Sequence, residues 1–233
     1  MLWDDNEKKT EYVVPDNVVD LTYKIDCKQI PTMHAWELSQ ALSGILPWLA
    51  DEPEVAIQQI HGATTGNGWE RPSDDEIMHL SKRARLHLRV PRHRLDDIAP
   101  LTGKVLDIAG YTVAIGEVMV KPLSPITTIF ARYVVVPKGM NEDEFVAWVA
   151  SELAQRDIRL RKVLCGISHI INTPERSIET RSLMIADLDK AMSIALQEQG
   201  VGPDRHLGCG VFLPHKGIKA VDEMEEKSHF SGT

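Results

Sequence analysis

The amino-acid sequence predicts an α+β fold of two tandem ferredoxin-like modules, each with the element order β-α-β-β-α-β. Three observations predict this fold. Short segments in which apolar residues alternate with polar ones are typical of strands, and they are separated by segments with an apolar stripe at helical spacing. The order of these segments is repeated in the two halves of the 233-residue chain. No apolar run approaches the roughly 20 residues that cross a bilayer.

The first module is predicted to span residues 17–120. Alternating apolar residues predict a strand over 18–25, and Pro31 with Thr32 as N-cap predicts the start of a helix that ends at Pro47. The remaining predicted elements, in order, are a strand over 54–60, a polar loop over 62–76, a strand over 83–90, a short helix after it, and a strand pair over 104–117 around Gly110.

The second module is predicted to span residues 126–216. Asn141 and Glu144 have the spacing of a helix-opening capping box, and Gly200 follows the last predicted helix where a C-terminal cap belongs. The predicted elements are a strand over 126–136, the helix opened by Asn141, strands over 161–171 and 176–185, a helix over 188–199 and a strand over 211–213. The same RRM-like scaffold serves many RNA-recognition domains.

The net charge of −8 at first argues against an anionic partner. The net negative charge, however, lies mainly in the terminal regions, with −4 over residues 1–20 and −3 over residues 221–233, and we expect acidic tails over residues 1–16 and 217–233. Residues 81–94 contain six lysines or arginines and no acid. Three cysteines without paired spacing, and an acidic N-terminus unlike a secretory signal, predict a cytoplasmic protein. The basic run is open to two interpretations, a solvated face or a nucleic-acid contact.

A glycine-rich segment, GVGPDRHLGCG over 200–210, lies between the last predicted helix and the last predicted strand. Glycines allow backbone N–H groups to approach a phosphate closely, and Arg205 and His206 would add charge. We therefore expect RNA contacts from Gly200, Gly202, Arg205, His206, Gly208 and Gly210. The alternative is a glycine-capped helix followed by a turn.

This segment, in its place within a second ferredoxin-like half, resembles the signature of the CRISPR-associated endoribonuclease family that processes precursor guide RNA. The similarity extends over about residues 18–215. It includes VDLTYKI, IPTMHAWELSQALSGILPWL, SKRARLHLRVP, LTGKVLDIAGYTVAIGE, VMVKPLSP and LGCGVFLP, which look like segments of the compact, myxobacterial-type subgroup.

The resemblance implies metal-independent cleavage of CRISPR repeat RNA, in which a histidine deprotonates the ribose 2′-hydroxyl and the products end in a 2′,3′-cyclic phosphate and a 5′-hydroxyl. It implies retention of the product and contact with other subunits of an effector complex. We expect His34, at the start of the first helix, to be this general base, because helix-terminal N–H groups favour a nearby phosphate and keep the imidazole neutral. His61, after the second strand, is the alternative.

Arg83, Arg85, Arg89 and Arg92 are expected to contact the RNA backbone, because RNA helices are recognised mainly through phosphates and shape. No metal-ligand pattern is present in the sequence, so neither a metal site nor a cofactor is expected. Two other functions remain open. The first is a non-catalytic RNA-binding subunit of a CRISPR effector complex. The second is an RNA-recognition protein unrelated to CRISPR, and the lack of an aromatic consensus motif argues against it.

Overall fold

The structure, a computed structural model, describes residues 12–62 and 76–215. Most of the two acidic tails and residues 63–75 of the predicted polar loop lie outside this range. The described part forms two antiparallel sheets, one in each half of the chain, and a small two-stranded sheet. None of the helices in these ranges is long and apolar enough to cross a membrane.

The first half contains a five-stranded sheet in the order β3-β5-β1-β7-β6. Its elements along the chain are β1 (Val18–Asp26), β2 (Gln29–Pro31), α1 (Ala35–Ile45), a 3-10 helix (Pro47–Ala50), β3 (Ala56–Gln58), β4 (Ile77–His79), β5 (Arg85–Pro91), two 3-10 helices (Arg92–Arg94 and Asp96–Leu101), β6 (Val105–Ile108) and β7 (Tyr111–Pro122). Strands β3, β5, β1 and β7 have the ferredoxin-like arrangement, to which β6 adds an edge. The second helix of the pattern is reduced to 3-10 turns, which contain Pro100.

The second half contains a four-stranded sheet in the order β11-β8-β10-β9, the ferredoxin-like order without additions. Its elements are β8 (Ile129–Val135), α2 (Glu142–Ala154), β9 (Lys162–Asn172), β10 (Ser177–Ala186), α3 (Lys190–Gln199), a 3-10 helix (Arg205–Leu207) and β11 (Phe212–Pro214). The capping box of Asn141 and Glu144 is present, and Gly200 caps α3 with a φ of 67°. The predicted fold class is therefore confirmed.

The start of the first helix differs from the prediction. Helix α1 begins at Ala35, and His34 rather than Thr32 occupies the N-cap position. The hydroxyl of Thr32 instead donates a hydrogen bond to the carbonyl of Glu76 at 3.0 Å, next to the β2–β4 pairing. Thr32 thus stabilises the two-stranded sheet of β2 and β4 instead of capping the helix. Residue spacing in the sequence does not reveal this pairing.

Each sheet has a hydrophobic core on one face. In the first half, α1 packs Leu38 and Leu42 against Leu21, and in the second, α2 packs Phe145 against Leu183. Full burial of such a side chain stabilises the fold by about 1.5–3 kcal/mol. A smaller apolar cluster joins the halves, where Ala35 at the start of α1 meets Tyr133, Ile171, Ile178, Leu207 and Cys209 of the second module.

Two buried arginines cross the boundary between the modules in opposite directions. The guanidinium of Arg89, from β5, makes a two-pronged ion pair with Asp20 at 2.7 and 3.0 Å and donates to the carbonyls of Gln197 and Phe212 in the second module. Arg205, from the second module, donates to the carbonyls of Val55 and Glu54 in the first and to that of Glu198 in its own. Burial and the nearby charge of Arg89 lower the pKa of Arg205 to about 10.

These contacts contradict the prediction that Arg89 and Arg205 bind RNA. The side chain of Arg89 has no exposed surface, and only 9% of Arg205 is exposed. Both guanidiniums are used to hold the modules together. Polar and apolar residues alternate along β5, and Arg89 lies on the face away from the first core. That face is covered at Arg89 by the second module.

Arg89→Ala is expected to lower the free energy of unfolding by about 3–5 kcal/mol, because it leaves the Asp20 carboxylate and two carbonyls without their cation. Urea denaturation at neutral pH measures this loss. Arg92→Ala is the matched control: its ion pair with Asp16 is largely exposed, so less than about 1 kcal/mol should be lost. Equal losses in both variants would show that the fold does not depend on the buried guanidinium.

Candidate active site

His34 is sealed in the protein interior, with 1% of its surface exposed. Its Nδ1 lies 2.8 Å from the carbonyl oxygen of Pro31, and its Nε2 lies 3.0 Å from the backbone nitrogen of Ile60. Since a carbonyl only accepts and an amide N–H only donates, Nδ1 carries the proton and Nε2 accepts from Ile60. Protonating Nε2 would break that bond. This position contradicts the prediction that His34 contacts RNA as a general base.

His61 directly follows the residue that His34 holds. It is half-buried and lines a cavity of about 390 Å³ between the modules. The cavity is walled by Arg83, Arg85 and His87 from the first module and by Leu213 from the second. Of the two histidines proposed as the base, the structure thus places His61, and not His34, on an open cleft.

The segment before His61 is held at three positions, Ile57, Gln59 and Ile60. The backbone at Ile57 lies against Gly208, where an added Cβ would come within 3.2 Å of the Ile57 carbonyl oxygen. The side-chain amide of Gln59 donates to the carbonyl of Leu207 at 3.1 Å, and Ile60 donates to His34. His61 therefore follows a braced segment just after β3, which favours a defined position for its ring.

One face of β5 runs from the module boundary into this cleft. Arg89 is buried at the boundary, His87 is half-buried, and Arg85 reaches the cavity. His87 sits between Gln58 of β3 and Thr22 of β1 in the sheet, and its Nδ1 is 3.2 Å from the Thr22 hydroxyl. Burial lowers the pKa of His87; Asp20 opposes the shift, while Lys121 and Arg85 add to it. A neutral imidazole here donates or accepts one hydrogen bond on the cleft side.

The glycine-rich segment packs against protein rather than presenting free amides. The N–H groups of Gly200, Gly208 and Gly210 donate to the carbonyls of Leu196, Arg205 and Tyr133 respectively. A Cβ at Gly200 would collide with the Arg205 guanidinium, and one at Gly210 with the carbonyl of Val201. These three glycines permit close approach of chain to chain, which contradicts the expectation that they cradle phosphate. The alternative interpretation, a capped helix followed by a turn, describes them better.

The other predicted RNA contacts are distributed unevenly. Arg83 and Arg85 line the cleft with His61. His206 is exposed and Gly202 half-buried, and both line a different cavity, beside Glu52, that shares no lining residue with the cleft. Arg92 is exposed but paired with Asp16 at 3.0 Å. RNA contact by Gly202, His206 and Arg92 therefore stays a prediction without support from cleft geometry.

Sequence reasoning missed a second part of the cleft, contributed by the first strand of the second module. A cavity that adjoins the first and shares His61, Gln58, Gln59 and Leu213 with it is also lined by Phe130, Arg132 and Tyr133. The ring of Tyr133 lies 6.4 Å from that of His61. The signal available in the sequence was the spacing of Phe130 and Arg132, which are two residues apart and therefore share one face of the strand, opposite Ala131.

No group of three or more histidine, cysteine or acidic side chains in residues 12–62 and 76–215 is arranged to hold a metal ion. The cleft groups that carry chemistry are the imidazoles of His61 and His87 and the guanidiniums of Arg83, Arg85 and Arg132. Such a set transfers protons and stabilises a phosphate-centred negative charge.

A family model described as Cas6 CRISPR matches residues 19–217. The chain belongs to the Cas6 family. It is 29% identical, over 84% of its length and 81% of the relative's, to a CRISPR-associated endonuclease Cas6 of Myxococcus xanthus strain DK1622. This agrees with the resemblance found in the sequence segments.

Solved structures support the same fold. A CRISPR associated protein Cas6 superposes with a TM-score of 0.59 at 9% identity, covering 85% of this chain and all of that one. A CRISPR endoribonuclease Cse3 bound to 19 nt RNA superposes with a TM-score of 0.50 at 14% identity, covering 85% of this chain and 98% of that one. At such identities the superpositions establish the fold alone.

Gly210→Ala is expected to lower the free energy of unfolding by about 3 kcal/mol or more. It combines a φ of 66° with a collision against the Val201 backbone. Gly103→Ala is the matched control, because Gly103 has a φ of 80° but open space around it, so only about 1 kcal/mol of backbone strain is expected. Thermal or urea unfolding of both variants separates the two contributions. Equal costs would show that close packing at Gly210 is unimportant.

Proposed function

We propose that this Cas6-family protein is a metal-independent endoribonuclease that cleaves CRISPR repeat RNA, with His61 as the general base. The observation that carries the proposal is the cleft between the modules, where His61 stands beside Arg83 and Arg85. An imidazole supplies a base near neutral pH, and the guanidiniums supply positive charge for a phosphate. Together they provide the chemistry that RNA cleavage requires without a metal ion.

The reaction is an attack of the ribose 2′-oxygen on the adjacent phosphorus. His61 takes the 2′-hydroxyl proton, the bond from O2′ to phosphorus forms, and the bond from phosphorus to O5′ breaks. Arg83 and Arg85 stabilise the charged phosphorane, the leaving 5′-oxygen takes up a proton from water, and His61 releases its proton to the solvent. The products end in a 2′,3′-cyclic phosphate and a 5′-hydroxyl. His87, the other imidazole on the cleft, is placed to hydrogen-bond the phosphate.

RNA is the partner that the cleft fits. The related Cse3 structure is described as an endoribonuclease bound to RNA, and the Myxococcus relative as an endonuclease. A rigid cleft with several phosphate contacts also favours retention of the cleaved RNA, since the product keeps the backbone that those contacts hold. Contact with other subunits of an effector complex remains part of this proposal.

His61→Ala is expected to slow cleavage of a repeat RNA by roughly 10²–10⁴-fold, the range that a general base contributes, while binding is retained. The assay uses the RNA in EDTA and identifies the product ends by their reactivity with phosphatase and kinase. A cyclic phosphate and a 5′-hydroxyl are expected.

His93→Ala is the control, because His93 is largely exposed beside Glu52 and does not line the cleft, so its rate should equal that of wild type. Loss of wild-type cleavage in EDTA would contradict metal independence. Tight binding without any cleavage by the wild type would identify a non-catalytic RNA-binding subunit instead.

Arg83→Ala is expected to weaken binding of repeat RNA and to reduce the slope of log K against log salt by about 0.7–0.9, the contribution of one phosphate contact. Fluorescence anisotropy at several salt concentrations measures both. Arg159→Ala, which removes an exposed arginine of the second module, should leave the slope unchanged. The same decrease in both variants would mean that the cleft is not the RNA path.

A further inference from the structure

An apolar row crosses the open face of the second sheet. Strand pairing places Leu213 of β11 beside Phe130 of β8, Phe130 beside Met184 of β10, and Met184 beside Leu164 of β9. The neighbouring positions Ala131, Leu183 and Phe212 point to the other face, into the core under α2 and α3. The row therefore faces away from the helices, and none of its four members is buried.

Phe130 has an aromatic surface flanked by polar groups that suit a nucleotide. The guanidinium of Arg132 lies 5.9 Å from the centre of the Phe130 ring, and the ring of His215 lies 6.0 Å from it on the adjoining strand end. Aromatic rings on the open face of RRM-like sheets stack unpaired bases, and arginine guanidiniums bind phosphates or stack on bases. This combination is typical of a single-stranded nucleic-acid contact.

The row is continuous with the candidate active site. Leu213 lines both parts of the cleft, and Phe130 and Arg132 line the part that also contains His61. A nucleotide next to a phosphate at His61 therefore has this aromatic surface within the same cavity. At the end of the row nearest the cleft, the guanidinium of Arg132 lies beside Phe130. This positive charge favours RNA over an apolar protein segment as the occupant.

We propose that Phe130, with Arg132 and Leu213, forms a stacking site for one unpaired nucleobase of the RNA beside the cut. This inference rests on the proposed function, since it places the base relative to the phosphate at His61. The base leaves the stem and stacks on the Phe130 ring, so its neighbouring phosphate is turned toward the cleft. Phe130 is then a specificity-determining residue that reads the presence of an unpaired base.

The test is a double-mutant cycle between protein and RNA. A set of repeat RNAs carries a 2′-deoxyribose at the cut, so that binding is measured without cleavage, and each RNA lacks one base at a different position near it. With the wild type, removing one particular base is expected to weaken binding on the order of tenfold. With Phe130→Ala, the intact RNA should bind about tenfold more weakly, and removing that same base should have no further effect.

Three variants complete the design. Phe130→Trp should keep the penalty for the missing base, and Phe130→Leu, which keeps an apolar side chain without a ring and guards against a folding defect, should lose it. Met184→Ala, in the same row but outside the cleft lining, should keep it. A penalty that persists in Phe130→Ala and Phe130→Leu, or no base-specific penalty in the wild type, would overturn the stacking site.

Failure of the proposed function is recognised separately. If the wild type binds with the expected coupling to Phe130 but does not cleave the unmodified RNA, the catalytic role of His61 fails while the stacking site stands. If cleavage proceeds normally but no coupling is found, the stacking site alone fails, and the apolar row is left for a protein partner. If the wild type does not bind repeat RNA at all, both are overturned.

Discussion

The buried guanidinium of Arg89 fixes how the two sheets meet. Two of its nitrogens bind the Asp20 carboxylate of its own module, and the third donates to the carbonyls of Gln197 and Phe212, which come from the other module. Separating the modules would break both hydrogen bonds to these carbonyls, so the pairing of Arg89 favours one arrangement of the two sheets. Arg205 makes the reciprocal connection to Val55 and Glu54. The cleft is therefore formed before any RNA arrives, which lowers the cost of binding because little of the protein has to be ordered.

The same boundary determines where His61 stands. The turn after Arg205 brings Leu207 and Gly208 against β3, and His34 completes the support from α1 by accepting the amide of Ile60. The residues whose chemistry attracted attention in the sequence, the helix-start histidine and the glycine motif, thus act as positioning groups for a different histidine. A neutral His34 with both nitrogens bonded is suited to this task, since its tautomer is set by its two partners.

Much of the fold follows from local patterns, and little of the site does. Period-two alternation identified β1 and β5, and the capping box identified α2, because these signals depend on neighbours within a few residues. The burial and pairing of Arg89 depend on groups 69 and 108 residues away in the sequence. Those of His34 depend on Ile60, which is 26 residues away. Alternation of polar and apolar residues predicts on which face of a strand a side chain lies. It does not predict which other part of the protein covers that face. For the same reason the sequence predicts His61 only as the alternative general base. Its exposure depends on how the two modules meet, which local patterns do not reveal.

The net charge of −8 is compatible with a cleft that binds an anion, because the charges that matter act over short distances. At physiological ionic strength the screening length is about 8 Å, so an acid offsets the charge of a cleft cation mainly within about that distance. Several other surface cations are already paired: Lys24 with Glu117, and Arg94 with Glu52 and Asp97. Arg83 and Arg85 instead line a concave space beside two imidazoles, where low-dielectric walls concentrate their field. Local arrangement, rather than total charge, therefore decides whether this surface suits the anionic RNA backbone of the proposed function.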